Sequence, residues 1–396
     1  MARLSELMIA LGSDRSEIRE AFEYGRQRAA IVGADNVFDF SIGNPSVPAP
    51  ERVGSLIRQL VQDEDPVWLH GYTSAQGDQA AREALANNLN ERFGTAYDAD
   101  CFYLTTGAAG ALCCALAAMA CPGDEFITFA PFFPEYKVFV EGVGGQLIVV
   151  PAEIEGFQIN FEAFEACLTP QTKAVIINSP NNPSGAVYSS ETMKALAEVL
   201  NRKSAEYGHP IYLISDEPYR EIVYSDTPLP WVPSYYANTL LCYSFSKSLS
   251  LPGARIGYVL VPREMEDASL VYAAVCGAGR RLGYVCAPSL FQRVAAQCCH
   301  ETADLSIYRR NRDLLVSSLR DMGFTCVEPG GAFYLFPRSL EPDARAFCQR
   351  AKKYDLLLVP SDSFGVGGHI RLSYCVPTER IERALPKFRQ LAEEYR

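Results

Sequence analysis

Histidine is scarce in this chain, with four among 396 residues, so a histidine-rich metal centre is not expected. Cysteine is plentiful at thirteen, yet the number is odd and no Cys-x-x-Cys pair occurs. Cys113-Cys114 and Cys298-Cys299 are adjacent pairs with poor ligand spacing. That pattern argues against a disulfide framework or a zinc site, and suits buried reduced thiols in a cytoplasmic protein. Long apolar runs are missing too. The most apolar helical candidate, Ala108 to Cys121, is shorter than the ~20 residues that span a bilayer. Met1 to Ile18 carries an apolar stretch broken by Glu6, Gly12 and Asp14, which reads as neither signal peptide nor membrane anchor. Basic charge is in deficit: the net charge is −11, and no block of like charge forms a tail. The chain therefore has no general attraction for nucleic acid or an anionic membrane. Internal repeats and low-complexity segments are absent.

What is present is a composition of 48% hydrophobic and 21% charged residues, that of a soluble globular protein. The length predicts two domains, or one large and one small. Residues 1–40 read as an N-terminal arm and helix leading to a short strand, Val37 to Ile42, which Gly43-Asn44-Pro45 ends. From about residue 50 to 285, strands alternate with helical patterns. The strands are Glu125 to Ala130, Gly145 to Val150, Ala174 to Asn178, Ile211 to Ser215, Leu240 to Phe245 and Gly257 to Val261. A helix over Ser190 to Ala205 separates two of them. Runs apolar on both faces, separated by helices, predict a mostly parallel sheet covered on both sides. The tail differs. A long helix, Ser289 to Met322, is expected before a strand over Ala332 to Phe336. A helix near Asp343–Tyr354, a strand over His369 to Cys375 and a final helix from Thr378 follow. This predicts a large domain over residues 49–288 and an α+β small domain over 289–396, joined by residues 1–48.

Four motifs fall at strand C-terminal ends or helix starts, where open α/β sheets bind ligands. Thr105-Thr106-Gly107-Ala108-Ala109-Gly110 precedes an Ala/Leu/Cys helix, so backbone N–H groups there can meet a phosphate; an ordinary glycine-rich helix entry reads the same. Asn178-Ser179-Pro180-Asn181-Asn182-Pro183-Ser184-Gly185 follows a buried strand, with two prolines fixing an irregular loop. Asp216 ends an apolar strand, where a carboxylate needs a cationic partner to stay charged, or acts as a helix cap. Lys247 lies just past a buried strand in Ser244-Phe245-Ser246-Lys247, with Arg255 following. A lysine there can form a Schiff base with a carbonyl; read alone, it is a surface charge.

Taken in order, these motifs resemble the class I/II aminotransferase family of fold-type I pyridoxal-phosphate enzymes, the group containing aspartate aminotransferases. The resemblance runs from Gly43 to Arg371. It implies an α/β large domain with a mostly parallel seven-stranded sheet flanked by helices, and a smaller α+β domain. It also implies pyridoxal 5'-phosphate as cofactor and a homodimer with shared active sites. By position, Lys247 matches the Schiff-base lysine and proton shuttle, and Asp216 the partner of the pyridine nitrogen. Asn182 and Tyr219 match the pair on the ring's O3′, and Phe133 the stacked aromatic. Gly107, Ala108, Ala109, Ser244, Ser246 and Arg255 match the phosphate cup, with alanine where relatives carry a polar residue. Tyr72 matches a tyrosine that reaches the neighbouring subunit's phosphate. Arg371 matches the arginine that grips the substrate α-carboxylate, and Gly43 the loop beside it. Period two places Arg371, Ser373 and Cys375 on one strand face, and a guanidinium there offers a bidentate fork.

The side-chain pocket is less defined. Arg280 and Arg281 are candidates for a dicarboxylate's distal carboxylate and equally read as exposed charges. Tyr284 and Phe333 are candidates to line an apolar or aromatic pocket. The implied activity moves an amino group from an L-amino acid to a 2-oxo acid by a ping-pong mechanism. A carbon–sulfur β-lyase using the same cofactor is the alternative. A non-enzymatic regulatory module is weaker, because the N-terminal arm is too short and insufficiently basic to bind DNA.

Overall fold

The structure is a computed structural model that describes residues 4–13, 16–224 and 229–396; Asp14, read above as a break in the N-terminal stretch, lies outside them. Two compact units divide the chain. The larger holds Pro45–Ser306 with Pro329–Ala332; the smaller holds Met1–Asn44, Ile307–Glu328 and Phe333–Arg396. In chain order the smaller unit supplies strand β1 (Phe38–Asp39). The larger then supplies β2 (Phe102–Thr105), β3 (Glu125–Phe129), β4 (Gln146–Val150), β5 (Thr172–Asn178), β6 (Tyr212–Asp216), β7 (Thr239–Ser244) and β8 (Gly257–Leu260). The smaller resumes with β9 (Tyr334–Leu335), β10 (Leu356–Leu357), β11 (Val359–Pro360) and β12 (Ile370–Ser373).

The larger unit is built on one seven-stranded sheet of order β2-β8-β7-β6-β5-β3-β4. Its pairs are parallel except where β8 runs against both neighbours. The strands read as continuous apolar runs because helices bury both faces. All six residues of β7 are buried, and so are six of the seven in β5. One face packs Phe102, Leu104, Leu241 and Leu260 against helices Glu51–Asp63, Gln79–Phe93 and Ser289–Cys298. Further along, Ile127, Val175, Ile177 and Leu213 pack against Ser190–Tyr207. The Ala108–Met119 helix meets the sheet through small residues, with Ala111, Cys114, Ala115 and Leu116 fully buried.

Expectation and structure part in several places, among them the short strands β10 and β11, which the sequence analysis does not expect. β2 was not foreseen; Phe102–Thr105 is short and runs straight into the glycine loop, and its pairing with the distant β8 makes it a strand. The single helix expected over Ser289 to Met322 is two, Ser289–Cys298 and Ser306–Asp321. Between them Ala303 donates its N–H to the Ser248 carbonyl, and Asp304 accepts from the N–H and hydroxyl of Ser306, which starts the second helix afresh. The first of these helices packs within the larger unit, whereas the sequence analysis opened the small domain at residue 289.

In the smaller unit, β11-β12-β9 form an antiparallel sheet and β1 pairs with β10 in parallel. Its core is aromatic: Phe40, Tyr308, Phe333, Phe336, Phe347 and Tyr374 are all fully buried.

Candidate active site

The register of the central strands gathers the motifs. Asn178 pairs with Asp216, and Asp216 with Cys242, so β5 and β6 end level and β7 runs two residues further, to Ser244. Gly257 pairs with both Thr105 and Ser244, which sets the first glycine loop beside the lysine segment. Both ends of this row start short helical segments or loops, and ligands gather at such strand ends.

Gly107 begins the Ala108–Met119 helix at φ 84°, and no side chain caps it. Its first N–H groups therefore point outward with the positive end of the helix dipole. A Cβ on Gly107 would come 2.8 Å from the Arg255 guanidinium, so only glycine lets the two approach. Arg255 itself sits in the left-handed region at φ 53°, a strained setting for a side-chain-bearing residue. It donates from Nη2 to the Thr106 carbonyl and from Nη1 to the Pro252 carbonyl, each at 3.0 Å. Opposite, Ser244 caps the Phe245–Ser248 turn through the Ser246 N–H, and the two serine hydroxyls lie 2.7 Å apart. Lys247 is on this turn, half-buried. The result is a cup of outward N–H groups, two hydroxyls and one guanidinium, the chemistry of an anion site.

Asp216 is 4% exposed. Its Oδ2 accepts the Tyr136 hydroxyl at 2.6 Å, while Oδ1 is buried with no hydrogen-bond partner. Burial pushes its carboxyl from 3.8 up to about 7, the Tyr136 hydrogen bond draws it down, and the Glu217 charge adds to the rise. A buried acceptor left open this way is costly unless a donor arrives from outside the chain. Tyr136 was missed by the sequence analysis. Its signal was its place three residues after Phe133; it lies in the first turn of the helix Glu135–Gly142, and its N–H donates to the Phe133 carbonyl at 3.0 Å. The two rings meet edge to face at 5.7 Å.

The Asn178 to Gly185 loop is buried throughout, which is unusual for a loop. Several of its polar groups pair within the loop or with neighbouring main chain. Asn178 accepts from the Asn182 N–H at 2.7 Å and donates to the Asp216 carbonyl at 2.8 Å; Asn181 accepts the Ser184 N–H and hydroxyl. Asn182 and Tyr219 are buried at 6% and 5% exposure. Directly after Asp216, Glu217 accepts from Ser215 and is ion-paired with buried Arg220, whose guanidinium lies over the rings of Phe93 and Trp231.

In the smaller unit Arg371 is 2% exposed. It donates to the Ser41 carbonyl and lies over the rings of Tyr334 and Phe364, at 5.0 and 5.2 Å. The Ser373 hydroxyl lies 3.0 Å from the Cys375 thiol, which reaches the Asn44 carbonyl, so the strand presents Arg371, Ser373 and Cys375 toward the 41–44 segment as period two predicts. A Cβ on Gly43 would sit 2.0 Å from the Tyr334 hydroxyl; glycine is what lets this loop pass. Phe333 is fully buried between Tyr308 and Tyr334, and the ring facing Arg371 is Tyr334, which sequence reasoning had not singled out.

The remaining candidates lie elsewhere on the larger unit. Tyr284 has its hydroxyl 3.6 Å from the Cys114 thiol. Arg280 and Arg281 are exposed in the last turn of the Ala268–Leu282 helix. Tyr72 is 87% exposed, near exposed Val67 and Trp68, beside a cavity of about 560 Å³ also lined by Arg82 and Arg293.

Residues 35–388 match the family described as aminotransferase class I and II. An aspartate/prephenate aminotransferase of Thermus thermophilus is 32% identical over 93% of this chain and 93% of its own length. A crystal structure of an amino transferase from Eubacterium rectale is 56% identical, with a TM-score of 0.97 over 100% of both chains. The Thermus thermophilus aspartate aminotransferase solved with maleate superposes at a TM-score of 0.86, 28% identical, over 99% of this chain and 100% of that one.

Proposed function

This chain belongs to the class I and II aminotransferases, a family of enzymes, and from that premise we propose that it uses pyridoxal 5'-phosphate to move an amino group from an L-amino acid to a 2-oxo acid in a ping-pong cycle. The observation that carries the cofactor is Asp216. Its Oδ1 is an open buried acceptor at a strand end, in the same sheet as an anion cup and a lysine. A protonated pyridine nitrogen supplies the missing donor and charge; a phosphate fits the cup.

When bound, the cofactor supplies a carbonyl that condenses with amines and a ring that accepts electrons from the substrate Cα. The protein's residues do the rest. Lys247 would hold the carbonyl and, once the substrate amine has displaced its Nζ, the freed amine would move the proton at the substrate Cα. Asp216 keeps the ring nitrogen protonated, because its buried carboxylate is stabilised by an adjacent cation. Asn182 and Tyr219 would donate to the ring's phenolic oxygen, and Phe133 would cover one ring face. Gly107, Ala108 and Ala109, through N–H groups, hold the phosphate with Ser244, Ser246 and Arg255. Arg371 takes the substrate α-carboxylate through its fork, with Gly43 giving the loop room beside it.

The larger unit is thus the cofactor domain and the smaller one carries the carboxylate arginine. The exposure of Tyr72 supports a homodimer in which it reaches the neighbouring subunit's phosphate. A cytoplasmic setting is supported by thirteen free cysteines. Among the described residues no helix is long and apolar enough to cross a membrane. For the substrate we favour an aromatic or apolar amino acid with a dicarboxylate such as 2-oxoglutarate as partner. A relative acts on both aspartate and prephenate, as its name states.

The test is a panel of amino acids, each mixed with the loaded enzyme without acceptor and followed by cofactor absorbance. Stoichiometric release of one 2-oxo acid per site, with turnover resuming on adding a 2-oxo acid, is expected. Continuous release of ammonia and pyruvate without acceptor would make the chain a lyase instead.

A further inference from the structure

We propose that Tyr136 is a positioning residue that selects which oxygen of Asp216 is offered to the cofactor's ring nitrogen. The inference rests on the cofactor reading above and adds a residue to it. Both side chains are buried, at 1% and 4% exposure, so no water competes for the carboxylate. The Tyr136 hydroxyl occupies Oδ2 at 2.6 Å and leaves Oδ1 as the one open acceptor. A carboxylate without that bond can turn about its terminal torsion, which is broad and two-fold. With it, the plane and the choice of oxygen are set before any ligand arrives, and preorganisation of this kind is what makes a buried charge contact effective. The main chain of Asp216 is held as well, because its carbonyl accepts from Asn178. The side chain is therefore the only part left to orient, and the hydroxyl does it.

Tyr136 has a second contact that fits the role. Its ring meets Phe133 edge to face at 5.7 Å and 86°. One tyrosine thus braces both the stacking aromatic and the carboxylate, the two groups that address the ring from its face and from its nitrogen. Two other groups beside Asp216 are already engaged or neutral. Glu217 is engaged by Ser215 and Arg220, and Cys242, which pairs with Asp216 in the neighbouring strand, is a fully buried thiol whose pKa burial pushes up, leaving it neutral.

The experiment measures binding to the apoprotein of pyridoxal phosphate and of its 1-deaza analogue, in which ring nitrogen is replaced by carbon. Tyr136→Phe should weaken pyridoxal phosphate about tenfold, the effect of spoiling one buried charge-assisted contact. It should leave the 1-deaza analogue's affinity unchanged, because that ring makes no demand on Oδ1. Equal losses for both ligands, or no loss for either, overturn the proposal. Wild-type apoprotein that takes up no pyridoxal phosphate overturns the cofactor reading itself. Should Tyr136→Phe fold poorly, the comparison moves to Asp216→Ala, where no carboxylate is left unpaired. There, adding Tyr136→Phe should not change pyridoxal phosphate affinity further. An additional loss of about tenfold would assign Tyr136 to packing alone and overturn the role.

Discussion

Asn178 donates its side-chain amide to the main-chain carbonyl of Asp216 at 2.8 Å, across two parallel strands paired residue for residue at that point. The same asparagine accepts the Asn182 N–H. One side chain thereby ties the loop that carries Asn182 to the strand end that carries Asp216. A slip of one residue in either strand would turn both groups to the wrong face.

Asp216→Asn should nearly abolish amino transfer while leaving the fold and some cofactor binding, because an amide cannot hold the ring nitrogen's proton. It should also change how the apoprotein responds to pH. The folded carboxyl sits at about 7 against 3.8 in the free side chain, so the folded state keeps a proton that the unfolded chain loses. Its stability contribution is full below about pH 4, falls as pH rises toward 7, and levels above, a loss on the order of 4 kcal/mol. Urea unfolding of the apoprotein at pH 5 and pH 8 measures this. The difference between the two pH values should be smaller in Asp216→Asn than in wild type.

Arg220→Ala should cost stability more than activity can reveal. Glu217 and Arg220 are 1% and 5% exposed, and the variant would leave the Glu217 carboxylate buried without its guanidinium. Losses for breaking such a pair run to about 3–5 kcal/mol. Replacing both partners, with Glu217→Gln beside Arg220→Met, should recover part of that. Denaturant midpoints for the single and double variants decide the matter.

Lys247→Ala should still bind pyridoxal phosphate, yet borohydride should no longer attach it to the protein. Mass mapping of the reduced wild type should find the adduct on Lys247 alone. Mixed with a Tyr72→Ala variant under subunit exchange, the inactive Lys247→Ala protein should recover part of the activity, since one heterodimer site would be intact. Exchange without recovery would place Tyr72 outside the shared site.

Arg371→Lys should lower kcat/KM for every amino acid together, because a point charge cannot replace the bidentate fork held between Tyr334 and Phe364. Arg280→Ala and Arg281→Ala should change little, as both residues are exposed. The measurement is kcat/KM for aspartate, glutamate, phenylalanine and alanine. A strong wild-type preference for aspartate that one of these variants removes would restore the dicarboxylate reading of that arginine.

The parts legible in the sequence were those written locally. The segments carrying Asn182, Asp216 and Lys247 are contiguous and follow apolar runs, so their place at or after the ends of β5, β6 and β7 is readable from the sequence. The strands at 125–129, 146–150 and 257–260 agree with expectation to within a residue at each end; both-face burial leaves the first and last an unbroken apolar signature, whereas 146–150 is a half-exposed edge strand marked by its Leu-Ile-Val-Val run. The parts not legible depend on partners far along the chain. Tyr136 resembles any core tyrosine until Asp216 is seen beside it, and Asn178 resembles a loop asparagine until β6 is paired. Tyr334 was passed over for its neighbour Phe333, because period two says that adjacent residues face opposite ways without saying which faces Arg371. The break after Cys298 is set by a carbonyl on Ser248, which no local pattern contains.

Gly257 lies in register with Thr105 on one side and Ser244 on the other, because β8 inserts between the sheet's first strand and its next-to-last. A growing chain that has reached Lys247 therefore holds the glycine loop and the two serines, yet lacks the strand that brings them together. Closing that gap needs contacts between segments remote in sequence, which form slowly. On the cofactor reading proposed above, capture should therefore require the finished sheet. Because a ligand stabilises only the state it binds, added cofactor should slow unfolding of the completed larger unit and leave the early steps of its folding untouched.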